Sequence, residues 1–366
     1  MALFFYLKPN PVPPLSDRPH RPQLNRKGFF HPLVLLCWVG FLPFVFSLFS
    51  PLPGHGFKLG LVILAMTGLG YLVFQVKRNL LWAVLLVLPI YGFTCLGYAD
   101  PDFYLQAAAS SGFERVLGPS SELWLGSDYE GRDILATLVL GGKNAYTVGL
   151  YCCLTALALG IPFGLGLTSN SPWIKNPSFW VVQFYEIVPQ IFFVLIVLGV
   201  YNFWAAESAG ERLTESYSLP IAGIAIGLSS LPAIARIIEN RILLLKSERF
   251  VLALESSNVS RTKVLLYNLL WKNCTAEILI QTTFLFGSAL LLESALSFAF
   301  EIGFGDLGTG GYQSWGKLLA EARRSILFGE NGWIVLPPIV ATLLSIMGVN
   351  ALGQRLAQSS SGSEES

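Results

Sequence analysis

Residues 145–167 read Ala-Tyr-Thr-Val-Gly-Leu-Tyr-Cys-Cys-Leu-Thr-Ala-Leu-Ala-Leu-Gly-Ile-Pro-Phe-Gly-Leu-Gly-Leu, without one charged side chain. A bilayer core about 30 Å thick is crossed by about 20 helical residues rising about 1.5 Å each, so the run can span it. Hydrocarbon offers no water to an unpaired backbone N–H or C=O, and a helix satisfies all of them internally. Working outward, the same test finds eight such spans: 30–50, 57–76, 80–99, 144–168, 178–203, 218–238, 275–299 and 332–353. Pro220 and Pro232 interrupt the sixth, and Pro337 and Pro338 the eighth. Membrane helices tolerate such breaks where neighbours re-satisfy the backbone. Composition agrees, with 53% hydrophobic residues, 13% charged and a mean hydropathy of +0.57. Soluble domains carry about twice that charged share, so a soluble enzyme or a nucleic-acid binder is excluded. The expected fold is all-α, a polytopic bundle of about eight transmembrane helices.

The placement of charge orients the bundle. The tail 1–29 is basic and broken by Pro9, Pro11, Pro13, Pro14, Pro19 and Pro22, which reads as a disordered cytoplasmic tail rather than a cleaved leader. The segment 100–143 is acidic, whereas the loop 239–274 and the residues just before it carry Arg236, Arg241, Lys246, Arg249, Arg261, Lys263 and Lys272. Basic loops stay inside, so both termini are expected in the cytoplasm and 100–143 outside. Three further spans, 30–99, precede a core at 144–357, and a polar tail 358–366 follows.

The basic loop is too long for a turn. Phe250, Val251 and Leu254, then Val264, Leu265 and Leu269, recur at helical spacing, with Asn258 between them as a residue that accepts a left-handed bend. Two short amphipathic helices on the cytoplasmic face fit this pattern as well as a solvated basic loop does. Cys37, Cys95, Cys152, Cys153 and Cys274 show no CxxC spacing and read as small apolar core residues. His20, His31 and His55 lie away from any cysteine or carboxylate cluster, so no metal site is expected. No GxxxxGK[ST] occurs, so ATP hydrolysis by a P-loop falls to another chain. No cofactor is called for.

Four stretches carry a family resemblance over about 120–357. Leu125-Gly-Ser-Asp-Tyr-Glu-Gly-Arg-Asp-Ile-Leu135 is similar to the FGTDxxGRDxLSR segment of the C-type permease subunits of dipeptide, oligopeptide and nickel ABC importers. Pro232-Ala-Ile-Ala-Arg236 through Phe250-Val-Leu-Ala-Leu254 to Asn258 resembles that family's run into its EAA loop. Glu293-Ser-Ala-Leu-Ser-Phe298 looks like its EAALSF, and Ser314-Trp315-Gly316 its PSWG. The resemblance implies a type I importer core whose cytoplasmic loop couples to an ATPase: Arg249, Phe250, Val251, Leu252, Ala253, Leu254, Glu255 and Asn258 would make that contact. It implies alternating access, and as partners a second permease, two ABC ATPases, a solute-binding protein and the lipid bilayer of a bacterial inner membrane, with no nucleic acid. Leu252-Ala253-Leu254 stands where the family has Glu-Ala-Ala, Asn258 where it has glycine and Trp271 where it has proline. An ATPase groove adapted to these changes is expected rather than lost coupling. The usual family member has one span before the GRD segment, and this chain is expected to have three.

Charges inside spans mark function by default, because burying them in hydrocarbon is costly. Glu186 stands open between lining a pathway and pairing between helices; Glu293 reads more as a structural hydrogen-bonding group. Asp128, Gly131, Arg132 and Asp133 have no nucleophile or histidine beside them, so a helix cap or a contact with the binding protein is expected there rather than chemistry. Trp124, Trp173, Trp204, Trp271, Trp315 and Trp333 fall near span ends as interfacial anchors. Two rivals remain: a stand-alone ion-coupled carrier, and a membrane scaffold that has lost its ATPase contact.

Overall fold

A computed structural model describes scattered positions between 58 and 97, Glu248, and the segments 99–109, 116–209, 218–246, 269–300 and 314–361. The tail 1–29, most of the three N-terminal spans and the coupling residues Arg249 to Asn258 lie outside the described residues.

Ten helices follow in order among them: α1 (Pro101–Ala109), α2 (Ile134–Leu167), α3 (Pro172–Ile187), α4 (Gln190–Ala209), α5 (Ser218–Ser229), α6 (Leu231–Lys246), α7 (Thr275–Phe300), α8 (Trp315–Glu321), α9 (Arg323–Phe328) and α10 (Gly332–Ser361). No strand occurs among the described residues; Ser127 and Asp133 form an isolated bridge. Four helical stretches are long and apolar enough to cross a membrane: 134–167, 219–246 (α5 and α6 together), 275–299 and 332–358. α3 and α4 make a fifth as a bent pair, 96° apart.

Local chemistry sets the boundaries. Asp133 caps α2 by accepting from the Leu135 N–H at 2.9 Å. α3 starts with Pro172 in its first turn, where a missing N–H costs nothing. It ends because Pro189 drives Val188 to extended backbone, φ −79° and ψ 120°. Gly329 closes α9 at φ 68°, a left-handed conformation that glycine adopts without strain.

α2 is the hub. Val148 and Cys152 pack with α4, α5 and α7, while Cys153 and Ala156 pack with α6 and α7. Gly160 brings α2 against α6 so closely that an added Cβ would stand 2.6 Å from the Ile234 Cβ. The bundle thus has two ends. At the first end lie Ile134, Trp315, Ala322 and Ile334; at the second, Lys246 Nζ donates to the Thr168 carbonyl at 2.6 Å. α3 leaves from the second end, where Ser178 meets Gly166, and α4 packs Leu198 on Leu219 nearer the first. The two halves of the bent pair therefore pack towards opposite ends of α2.

Several expected boundaries need correction. α2 begins at Ile134 rather than 144, so the last residues of the segment 100–143 are already helical, as are 101–109. The span expected at 178–203 is broken at Val188–Pro189. The sixth span does not stop at residue 238, and the loop drawn at 239–274 begins only after Lys246. Glu239, Arg241 and Lys246 each find a partner, in Arg236, Glu277 and the Thr168 carbonyl, so these charges do not end the helix.

Candidate functional site

The GRD segment, the Glu293 stretch and the Ser314-Trp315-Gly316 stretch meet at the first end. Asp128, almost fully buried, accepts from the backbone N–H groups of Glu130 and Arg132 at 2.9 Å each and from Arg132 Nε at 2.7 Å. The loop can fold back this way because Gly131 takes φ 76°. Arg132 also contacts Glu130 at 3.1 Å and donates from Nη2 to Glu321 at the end of α8. Three carboxylates therefore surround one guanidinium. Burial pushes the Glu321 carboxyl up to about 7, against the opposing pull of Arg132.

Ser314 caps α8 by accepting from the Lys317 N–H at 3.1 Å, and its hydroxyl lies 3.3 Å from that of Ser297. Ser297 donates to Glu293 at 3.2 Å, and Ser294 at 3.4 Å. Glu293, only 1% exposed, is thereby enclosed by serine hydroxyls between α7 and α8. Trp315 is also 1% exposed and donates from Nε1 to the Leu138 carbonyl at 2.9 Å. It is not the interfacial anchor expected of it: its ring fills the space left by Gly141 on α2. Gly316 completes the joint, since a Cβ there would stand 2.5 Å from the Ser294 Cα. Trp173 and Trp204, by contrast, are largely exposed.

A second, partly exposed polar group joins α3 to α6. Glu186 pairs with Arg236 through both carboxylate oxygens, at 2.7 and 3.0 Å, and Arg236 reaches Glu239 at 2.8 Å. This is an interhelical pair between α3 and α6. Gln190 Nε2 donates to Ser230 Oγ at 3.0 Å, linking the start of α4 to the junction of α5 and α6. At the second end, Arg241 joins Glu277 at 3.1 Å, tying α6 to α7. Sequence reasoning missed Gln190, Glu239, Glu277 and Glu321. Two of them carried a local signal: Gln190 follows Pro189 directly, and Glu239 lies one helical turn after Arg236. Glu321 likewise lies one turn after Lys317, 3.9 Å from its Nζ, but its partner Arg132 and the Arg241 partner of Glu277 come from distant segments and leave no such signal. No group of three metal-ligating side chains occurs among the described residues.

No protein-family model matches the chain. Curated relatives do. The dipeptide transport system permease protein DppC of Alkalihalophilus pseudofirmus is 27% identical over 286 residues, 77% of this chain and 86% of the relative. The glutathione transport system permease protein GsiD of Escherichia coli is 25% identical over 242 residues, 65% of this chain and 72% of its own. A putative peptide transport system permease of Brucella suis is 25% identical, over 66% of this chain and 74% of its own. Among solved structures, a chain of the MetNI methionine ABC transporter in inward-facing conformations matches with a TM-score of 0.47 and 14% identity, over 61% of this chain and 96% of that one. The chain is thus a multi-pass membrane protein similar to the permease proteins of bacterial dipeptide, glutathione and peptide ABC transport systems.

Proposed function

We propose that this chain is a permease subunit of an ATP-binding-cassette importer in a bacterial inner membrane, and that it carries peptides by alternating access. The observation that carries the reading is the similarity to a dipeptide permease along 77% of the chain. A second permease, two ATPases and a solute-binding protein would complete the assembly. Residues 249–258 would contact the ATPase. The helices on either side of that stretch support this role. α6 is bound to α7 by Arg241 and Glu277, and to the end of α2 by Lys246. A push delivered at the loop would thus move three membrane helices together. Orientation with the first end outside follows from the basic residues on the second side.

Affinity purification of the tagged chain in mild detergent tests the assembly. Recovery of an ATPase and a second permease, lost when residues 250–258 are replaced by a Gly/Ser linker, is the expected result. Recovery of the chain alone, under conditions that preserve a known importer, would overturn it. One observation favours the stand-alone carrier: the Glu186–Arg236 pair lies beside broken helices, where secondary transporters hold their ligands. Uptake that persists without ATP and collapses with the ion gradient would decide for that reading.

A further inference from the structure

Two helix breaks stand against one another inside the bundle. Pro189 separates α3 from α4, and Ser230 separates α5 from α6; the Gln190–Ser230 hydrogen bond joins the two breaks. Beside them lie Glu186, Arg236 and Glu239, with the Arg236 guanidinium 5.9 Å from the Phe179 ring centroid. Their level is fixed by packing. Leu231 and Ile234 rest on Gly160, and Ala235 and Ile238 on Gly164, within the charge-free run 145–167 and towards its second end.

The Glu186 and Arg236 side chains are 31% and 30% exposed at that level. Charges with that much free surface, this near the second end, meet water, head groups or protein rather than acyl chains. Balance of charge then favours a ligand. Two carboxylates face one guanidinium, leaving one negative charge in excess. Arg236 spends three N–H groups on the pair, while carboxylate oxygens keep further lone pairs to accept with. Arg236 keeps two N–H groups as well, so it is the net negative charge that favours a cation.

We propose that Glu186, Arg236 and Glu239, with Gln190 and Ser230 at the two breaks, form a water-accessible station on the transport path that takes the ammonium group of a passing solute. This deepens the permease reading and rests on it. A free α-ammonium entering the station would compete with Arg236 for Glu186. Motion of α3 and α6 about their breaks would then expose or close the station.

Charge-selective labelling tests it on the full chain in membrane vesicles. Gln190→Cys in a Cys37→Ser background is treated with a cationic and an anionic methanethiosulfonate of similar size, against that background alone, whose remaining Cys95, Cys152, Cys153 and Cys274 are buried. The cationic reagent is expected to react about tenfold faster, as a focused negative field raises local cation concentration. Alanyl-alanine is expected to slow it, and its N-acetylated form is not. Adding Glu186→Gln and Glu239→Gln leaves Arg236 alone and is expected to reverse the preference. Since Gln190→Cys also removes the bond to Ser230, Gln183→Cys, one turn before Glu186, is labelled in parallel. Equal rates for the two reagents, or labelling by neither because a partner or lipid covers the face, would overturn the station. Recovery of an ATPase is read separately, so failure of the importer reading and failure of the station are distinguishable.

Discussion

Asp128 shows how much one buried residue fixes at the first end. It accepts two backbone N–H groups and one guanidinium, so it closes its own loop and holds Arg132 towards α8. Removing one partner of a buried pair costs about 3–5 kcal/mol, because the other charge stays behind. The two backbone N–H groups still serve Asp128 in Arg132→Gln, so the expected loss is about 3 kcal/mol, at the lower end of that range, read as a fall in thermal midpoint in detergent. The same cluster predicts a pH dependence. The Glu321 carboxyl sits at about 7 in the folded chain against 4.5 ordinarily. Between those values the folded state holds a proton that the unfolded state releases, so stability is highest below the lower value and falls as pH rises through the upper one. Thermal midpoints should decline across that window in the native chain and lose the decline in Glu321→Gln. A flat native profile would show that Arg132 dominates Glu321 instead. Gly316→Ala offers a steric counterpart: its Cβ would meet Ser294 backbone at 2.5 Å, which cannot move as a side-chain tip can. A loss of about 1–3 kcal/mol is expected, the range for overpacking.

At the scale of elements, the sequence was most legible where one span could be judged alone. The charge-free run 145–167 declares α2, whereas the span 178–203 is expected unbroken and the structure breaks it at Val188–Pro189. Legibility failed where a charge stays in a helix because a partner from elsewhere receives it. The sixth span is expected to stop at residue 238, yet Glu239, Arg241 and Lys246 beyond it are each satisfied and α6 runs to Lys246. Trp315 failed for the same reason: only the fold shows that Gly141 and the Leu138 carbonyl await its ring. Close packing of α2 on α6 is a property of the pair of elements. Gly160→Val would place branched carbons where Ile234 already lies, at 2.6 Å from the first added atom. The helices must part or the variant must destabilise. A disulfide formed readily between cysteines placed across this contact in the native background should form slowly once Gly160→Val is added, while an unchanged rate would mean the interface gives way without separation.

For the whole molecule, the path of the chain between the two ends is the property everything else depends on. Counting from residue 121, α2, the pair α5–α6, α7 and α10 can each cross by length and composition, and the bent pair α3–α4 adds a fifth crossing if it is one span. An odd number puts Ser121 and the C-terminal end of α10 on opposite sides. Were α3 and α4 a re-entrant loop that returns to its own side, the number would be four and both would share a side. The packing argues for a crossing, since α3 meets α2 at Gly166 and α4 meets α5 at Leu219, at opposite ends of α2. The positive-inside pattern predicts the direction, with the acidic first end expected outside. Single cysteines at Ser121 and Gln358 therefore make one decisive pair. An impermeant thiol reagent applied to intact spheroplasts is expected to label Ser121→Cys at once and Gln358→Cys only after the membrane is opened. Labelling of the second alone would keep the five crossings and reverse the orientation. Labelling of both from outside would make α3–α4 re-entrant, and the Glu186–Arg236 pair would then lie in a loop that dips into the membrane from the side of the second end.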